Sequence, residues 1–199
     1  MANDTGSFGL RPARHISGSS MWQIEKMYVH ASYATAIFVG DPILVQPELD
    51  YLDTTGYHRS AAVAAGTAGT MINGACVGIE PIQTNLNLTY LPASTGGYIY
   101  VMTAREAIYE IRGSAGATPT KVFVGENADM VATSAGSTAT GLSGFDLDET
   151  SNANTQNLTL NIVGIKNTPD NTLATSAIYL VRLNTALNIL GDFDGVTAT

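Results

Sequence analysis

The sequence predicts an all-β domain, a barrel or sandwich of short strands with an extended N-terminal arm and long polar loops. Three observations carry this reading. No stretch of a dozen residues sets apolar side chains at i, i+3, i+4 and i+7 without a Gly, Pro or β-branched interruption. Short runs rich in Val, Ile, Leu and Tyr recur instead, about eight to ten of them, separated by clusters of Gly, Pro, Asn, Asp and Ser. Charged residues make up only 13% of the chain, and short polar side chains take their place. Such residues suit turns and strand faces, whereas helix exteriors draw on Lys, Glu and Arg. At 199 residues the chain is long enough to bury a real core without metal or disulfide staples. It reads as one domain over 21–190, or as two lobes divided near 113–120.

The elements follow in order. Residues 1–20 include GSFGLRPARH, where Gly6 and Gly9 bend the backbone and Pro12 keeps it extended. Phe8 and Leu10 are apolar anchors that solvent would waste, each contributing roughly 1.5–3 kcal/mol on burial. Arg11 and Arg14 can form bidentate pairs with carboxylates. This segment is expected to lie on another chain as an arm or, equally, to strap its own domain. MWQIEKMYV (21–29) fits a helix or a strand. AIFVG (36–40) runs into DPILV (41–45), with Pro42 marking a bulge or an edge. INGACVGIEPI (72–82), GYIYVM (97–102), AIYEIR (107–112), KVFVG (121–125), NLTLNIVGIK (157–166) and IYLVRLN (178–184) are the remaining strand candidates. Leu158, Leu160 and Ile162 share one face of their run, with Thr159 and Asn161 on the wet side. Tyr98, Tyr100, Tyr109 and Phe123 are read as core residues. GSAGATPT (113–120) is a turn-rich connection. Residues 131–156 form a long polar loop whose low charge favours contact with a partner through Leu142 and Phe145. A turn of helix is expected near Ala186 and Leu187, and 191–199 is a tail.

The net charge of −8 opposes nucleic-acid binding, which needs a basic stripe to displace phosphate counterions. The single cysteine, Cys76, permits no intrachain disulfide and is expected to be a small buried hydrophobe rather than a nucleophile. No apolar run reaches membrane-spanning length, and the N-terminus lacks a basic-then-apolar leader, so synthesis in the cytoplasm is expected. The chain contains no phosphate-cradling G-x-x-x-x-G-K-[ST], no G-x-G-x-x-G after a strand and no G-x-S-x-G elbow. His15, His30 and His58 are scattered without ligand spacing. Asp192 and Asp194 in GDFDG look like a solvated acidic turn, and Asp146 with Asp148 could form a weak cation site against a symmetry mate. No catalytic residue, metal or cofactor is expected.

Taken together, GSFGLRPARH, FVGDPILV, CVGIEPI, YLPASTGGYIYV, GSTATGLSGFDLD, IVGIKNTPDN and YLVRLN resemble a family of tailed-bacteriophage head proteins, the capsid decoration or cement proteins. The likeness runs from Gly6 to about Asn184, and its motifs are structural rather than catalytic. It implies a β-rich virion protein on the outer surface of the icosahedral capsid, probing neither nucleic acid nor membrane. Its partners would be the major capsid protein and itself, as a homotrimer. The interface would use Phe8, Leu10, Arg11, Arg14, Trp22, Leu142 and Phe145. The competing expectation is a virion-displayed domain that binds host-surface glycans, which exposed Trp or Tyr clusters would support. Trp22, the only tryptophan, directly follows the arm and is read as packing rather than display.

Overall fold

A computed structural model describes residues 3, 6–18, 22–45, 58–64, 66–67, 69–83, 85–103 and 106–184. Among these residues twelve strands form three antiparallel sheets. They are β1 (Arg11–His15), β2 (Ile24–Val29), β3 (Pro42–Val45), β4 (Ala61–Val63), β5 (Gly74–Ile79), β6 (Gly97–Met102), β7 (Ala107–Arg112), β8 (Asn127–Ala128), β9 (Met130–Ala132), β10 (Phe145–Leu147), β11 (Leu160–Ile165) and β12 (Ile178–Leu183). The first sheet has the order β1-β7-β12-β11-β8, the second β2-β6-β5-β3-β4, and β9 pairs with β10. The arrangement is sandwich-like and no barrel closes among the described residues, which decides between the two predicted architectures. Among these residues no helix is long and apolar enough to cross a membrane.

Strand alternation sorts the side chains into two cores. The larger lies under the first sheet, where Tyr109, Ile111, Leu160, Ile162, Tyr179 and Val181 point inward. The β9–β10 pair adds Met130 and Leu147, and the second sheet adds Ala75 and Met102. The smaller core covers one face of the second sheet with Met27, Val29, Ile43, Ile99 and Val101, and is closed by Ile37 and Leu91 from loops. Both sheets therefore feed the larger core. The chain passes from the second sheet to the first between β6 and β7, so a division near 113–120 separates neither sheet from the other.

The N-terminal segment belongs to its own domain. Arg11–His15 forms the edge strand beside β7, with a bulge between Pro12 and Arg14. Upstream, the chain crosses the turn at Gly40 so closely that Leu10 N–H donates to the Gly40 carbonyl at 2.8 Å. Gly9 and Gly40 both take positive φ (69° and 97°), and a Cβ on Gly9 would lie 2.2 Å from the Gly40 oxygen. Only glycine fits such a crossing. Asn3 then ties the segment down, its amide donating to the Thr172 and Thr175 carbonyls at 3.0 Å each. The strap reading is the one the described residues follow, and an arm 1–20 that could be detached is corrected.

Three further elements differ from expectation. Lys121–Phe123 is a 3-10 turn rather than a strand, leaving Val122 and Val124 exposed. The predicted loop 131–156 contains β10, whose inward residues are fully buried. β4 was not anticipated; it is three residues of Ala and Val. The turn of helix near Ala186 and the tail 191–199 lie outside the described residues.

Candidate functional site

Much of the polar interior is committed to structure, although His15 Nε2, Thr103 Oγ1, Glu149 Oε2 and Asn152 Nδ2 are buried without a hydrogen-bond partner. Arg112, at the end of β7, meets Asp146 of β10 through both guanidinium Nε, at 3.0 Å from Oδ1, and a terminal nitrogen bonded to Oδ2. That second nitrogen also donates to Ser7 Oγ at 2.9 Å, and the Ser7 hydroxyl donates onward to Asp146 Oδ2 at 2.9 Å. Thr133 adds its own hydroxyl to the same oxygen. Asp146 is 0% exposed. The expectation of a cation site at Asp146 and Asp148 is thereby overturned: the guanidinium already fills the place of the cation.

Asp41 is buried, and no cation pairs with it among the described residues. It accepts from the Phe38 N–H at 2.8 Å and from the Ser143 hydroxyl at 2.6 Å. Burial pushes its carboxyl up to about 6, and these two hydrogen bonds pull it part of the way back. Glu149 is also raised by burial, while Tyr179 O–H donates to its Oε1 at 2.8 Å. Cys76 is fully buried, and desolvation pushes its thiol up to about 12, so it carries no thiolate near neutral pH. Among the described residues, no group of three or more His, Cys, Asp or Glu side chains is placed to share a metal ion.

The outer faces of the two sheets are different. Register aligns Arg14, Ile108, Arg182 and Asn161 in one row across the first sheet. They line a groove of about 450 Å³ with Ile16, Val124 and Val163. Ile16 is 54% exposed and Val124 44%. Arg182 Nε donates to Asn161 Oδ1 at 3.0 Å, and the Arg14 side chain makes no hydrogen bond or ion pair among the described residues. Neither meets a carboxylate among the described residues. In the next row Arg11 and Lys166 share the Glu110 carboxylate, at 2.6 and 3.2 Å. Two cations are therefore neutralised on this face and two are not.

The second sheet presents aromatic rings. Tyr28 stands opposite Tyr98, and Lys26 opposite Tyr100. The Tyr28 and Tyr98 rings lie 5.4 Å apart, with His58 edge-on to Tyr98 at 5.2 Å and His30 edge-on to Tyr28 at 6.2 Å. Lys26 sits over the Tyr98 ring at 4.2 Å and pairs with Glu80 at 2.8 Å. Tyr100 lies against Gly78 and is 37% exposed.

The seven interface residues read from the sequence are thus separated. Leu10 is 1% exposed and part of the larger core, so it is not available to a partner. Phe8 is half-buried under the Arg11 guanidinium, 4.4 Å from the ring centre. Arg11 is paired, and only Arg14 lines the groove. Trp22 is 38% exposed and packs on His15 at 4.7 Å. Leu142 is exposed beside Val39, whereas Phe145 is half-buried against the larger core. Tyr98 and Tyr100 face outward, against expectation, while Tyr109 is core. Sequence reasoning missed Arg182, Val124 and Val163. The alternation in IYLVRLN carries the signal for Arg182: Tyr179, Val181 and Leu183 share one face, which sends Arg182 to the other. Comparison of the chain with protein-family models, with curated proteins and with solved structures finds no match.

Proposed function

We propose that this chain is a virion structural protein that decorates the outside of a tailed-phage head and bridges major capsid protein subunits, acting as a homotrimer and performing no catalysis. The observation that carries the reading is the outer face of the first sheet. There, exposed apolar side chains surround two guanidiniums that lack carboxylates, in a chain with net charge −8. Leaving such a face in solvent gains nothing, whereas covering it with a carboxylate-bearing surface buries apolar area and completes two charge-assisted pairs. Weak contacts of this kind become firm when repeated around a shell. The interior is in keeping with the same reading: the Arg112–Asp146 pair holds β7 to β10, and the Cys76 thiol is sealed.

Co-sedimentation with undecorated heads tests the proposal. The full chain is expected to pellet with the heads, and Arg14→Glu/Arg182→Glu to weaken binding by about tenfold or more. Light scattering of the free protein is expected to report a trimer. Failure of the wild-type chain to pellet, or a charge-reversed variant that binds as well as wild type, sinks this reading.

One observation favours a second function. Tyr28, Tyr98 and Tyr100, with His30, His58, Lys26 and Glu80 around them, combine ring faces with polar groups as a saccharide platform does. Under that reading the isolated protein binds a carbohydrate array, and Tyr100→Ala removes the signal. Cement activity requires no such binding.

A further inference from the structure

A second cavity, a cleft of about 180 Å³, lies where the loop 35–41 and β4 meet β9 and β10. It shares no lining residue with the groove of the first sheet. Phe38, Val63 and Phe145 make its walls, and the exposed Ser134 and Ala135 stand at its mouth. Asp41, 3% exposed, lies at its inner end. The frame is held by the chain itself. Phe38 stacks on Tyr90 with ring centres 5.1 Å apart, and Val63 N–H donates to the Tyr33 hydroxyl at 2.9 Å. The Ser143 hydroxyl ties the carboxylate to β10, donating to Asp41 while accepting from Phe145 N–H at 3.1 Å.

Charge, shape and size specify what this space takes. A carboxylate offers about four acceptor positions. Phe38 N–H uses one on Oδ2 and the Ser143 hydroxyl one on Oδ1, which leaves capacity on both oxygens. No Lys, Arg or His among the described residues lines the cleft, so the chain presents a carboxylate there without its counter-charge. A guanidinium bonds both carboxylate oxygens at once through a planar fork, whereas an ammonium is a compact point donor that needs one free direction. The apolar walls call for a hydrocarbon stem behind that head, and phenyl rings attract a cation placed over them. The volume is below the roughly 300–1,000 Å³ of sites for larger ligands, so one unbranched chain fills it.

We propose that this cleft binds a primary alkylammonium group with a stem of about four carbons, its head on Asp41 and its stem between Phe38, Val63 and Phe145. A free alkylamine and the end of a lysine side chain have this same chemistry. The site stands or falls apart from shell binding, because neither the groove nor its arginines take part.

The test titrates the full chain with n-butylamine and, separately, with Nα-acetyl-lysine N-methylamide, following methyl signals by NMR. Val63 and Ala135 are expected to shift and saturate with Kd on the order of millimolar, while Val163 in the other groove stays in place. n-Butanol, which has the stem without the charge, and n-butylguanidine are expected to bind at least about tenfold more weakly. Asp41→Asn removes the charge at unchanged size, and Ala135→Phe blocks the mouth without touching Asp41; each should lower affinity by about tenfold or more. Unchanged core methyl shifts establish that a variant is folded, and Ala135→Phe carries the test alone if Asp41→Asn is not. Affinity is expected to rise from pH 5 to pH 7 as the Asp41 carboxyl ionises. The Cys76 thiol, the titratable group beside Asp41, stays neutral over that range. Saturation by both ligands supports a lysine side chain as the source, and saturation by n-butylamine alone supports a free amine. Shifts that n-butanol reproduces, that survive folded Asp41→Asn, or that never saturate overturn the proposal and leave the cleft to water.

Discussion

Arg112 and the pair Arg14 and Arg182 sit in the same sheet and differ in what has been done with their charge. Arg112 lies 8% exposed at the end of β7, gripping Asp146 with both arms and borrowing the Ser7 hydroxyl as well. Arg14 and Arg182 lie nearer the other end of β7, on the face that Arg112 shares by register, and neither meets a carboxylate among the described residues. The first arrangement is closed, because every strong bond the guanidinium can offer inward is met by a residue of this chain. The second is open. The difference underlies the proposed reading: a buried cation with its anion is architecture, whereas an exposed cation on an apolar floor is the surface we propose a partner covers.

Breaking the closed pair should have the largest effect. Arg112→Ala leaves Asp146 charged, buried and deprived of its cation, and the expected loss of stability is about 3–5 kcal/mol. Asp146→Ala should cost a similar amount by stranding Arg112. Replacing both at once with apolar residues, Arg112→Met/Asp146→Leu, is expected to recover most of the loss, because desolvation of the two charges is removed together with their attraction. Guanidinium denaturation of the three variants makes the comparison. A single variant that unfolds at the wild-type midpoint shows that the junction is not a stability element.

The comparison sharpens at Asp41, a buried carboxylate to which no cation was supplied. Its folded value of about 6 lies above the ordinary 3.8. Between those limits the folded chain holds a proton that the unfolded chain has released, so stability falls as pH rises through the window and is highest below it. The expected fall attributable to this group is about 2–3 kcal/mol. Asp41→Asn can keep both contacts, its Oδ1 accepting from Phe38 N–H and its Nδ2 donating to Ser143 Oγ. It should therefore flatten that part of the stability–pH profile and stabilise the protein at pH 7. Glu149, raised in the same direction by burial, leaves a residual slope. Parallel wild-type and Asp41→Asn profiles from pH 4 to 7 contradict the assignment.

How far these features were legible depends on the range of the interaction behind them. β6 and β7 have the boundaries their sequences predict, because GYIYVM and AIYEIR are dense in β-branched and aromatic residues and end at turn signals. The same alternation held the answer for Tyr98 and Tyr100: with Ile99 and Val101 inward, both rings must face outward. KVFVG has strand composition, yet Lys121–Phe123 closes as a 3-10 turn and it is Gly125 that reaches β11, donating to the Ile162 carbonyl at 2.8 Å. Asp146 was hidden because a three-residue strand is too short to show periodicity, and its partner lies 34 positions away. The Gly9–Gly40 crossing was half visible. Each glycine marks a bend, but that they bend against each other is a property of the fold alone. Nothing in local pattern could have ranked Arg182 above Arg11.

The smallest effect on stability belongs to the open pair, and that smallness is itself informative. Arg14→Ala and Arg182→Ala remove no ion pair among the described residues, so each should change unfolding free energy by no more than about 0.5 kcal/mol. Arg11→Ala, which breaks an exposed pair with Glu110, should cost about 0–1 kcal/mol. Denaturation at low and high salt separates these cases: screening removes the Arg11 contribution, whereas neutral Arg14 and Arg182 variants show little salt dependence of their own. If Arg14→Ala instead destabilises the fold as strongly as Arg112→Ala, the exposed guanidinium has a partner within its own chain that holds the structure together. The distinction between closed and open arginines would then fail, and with it the reason for reading the groove as an interface to another protein.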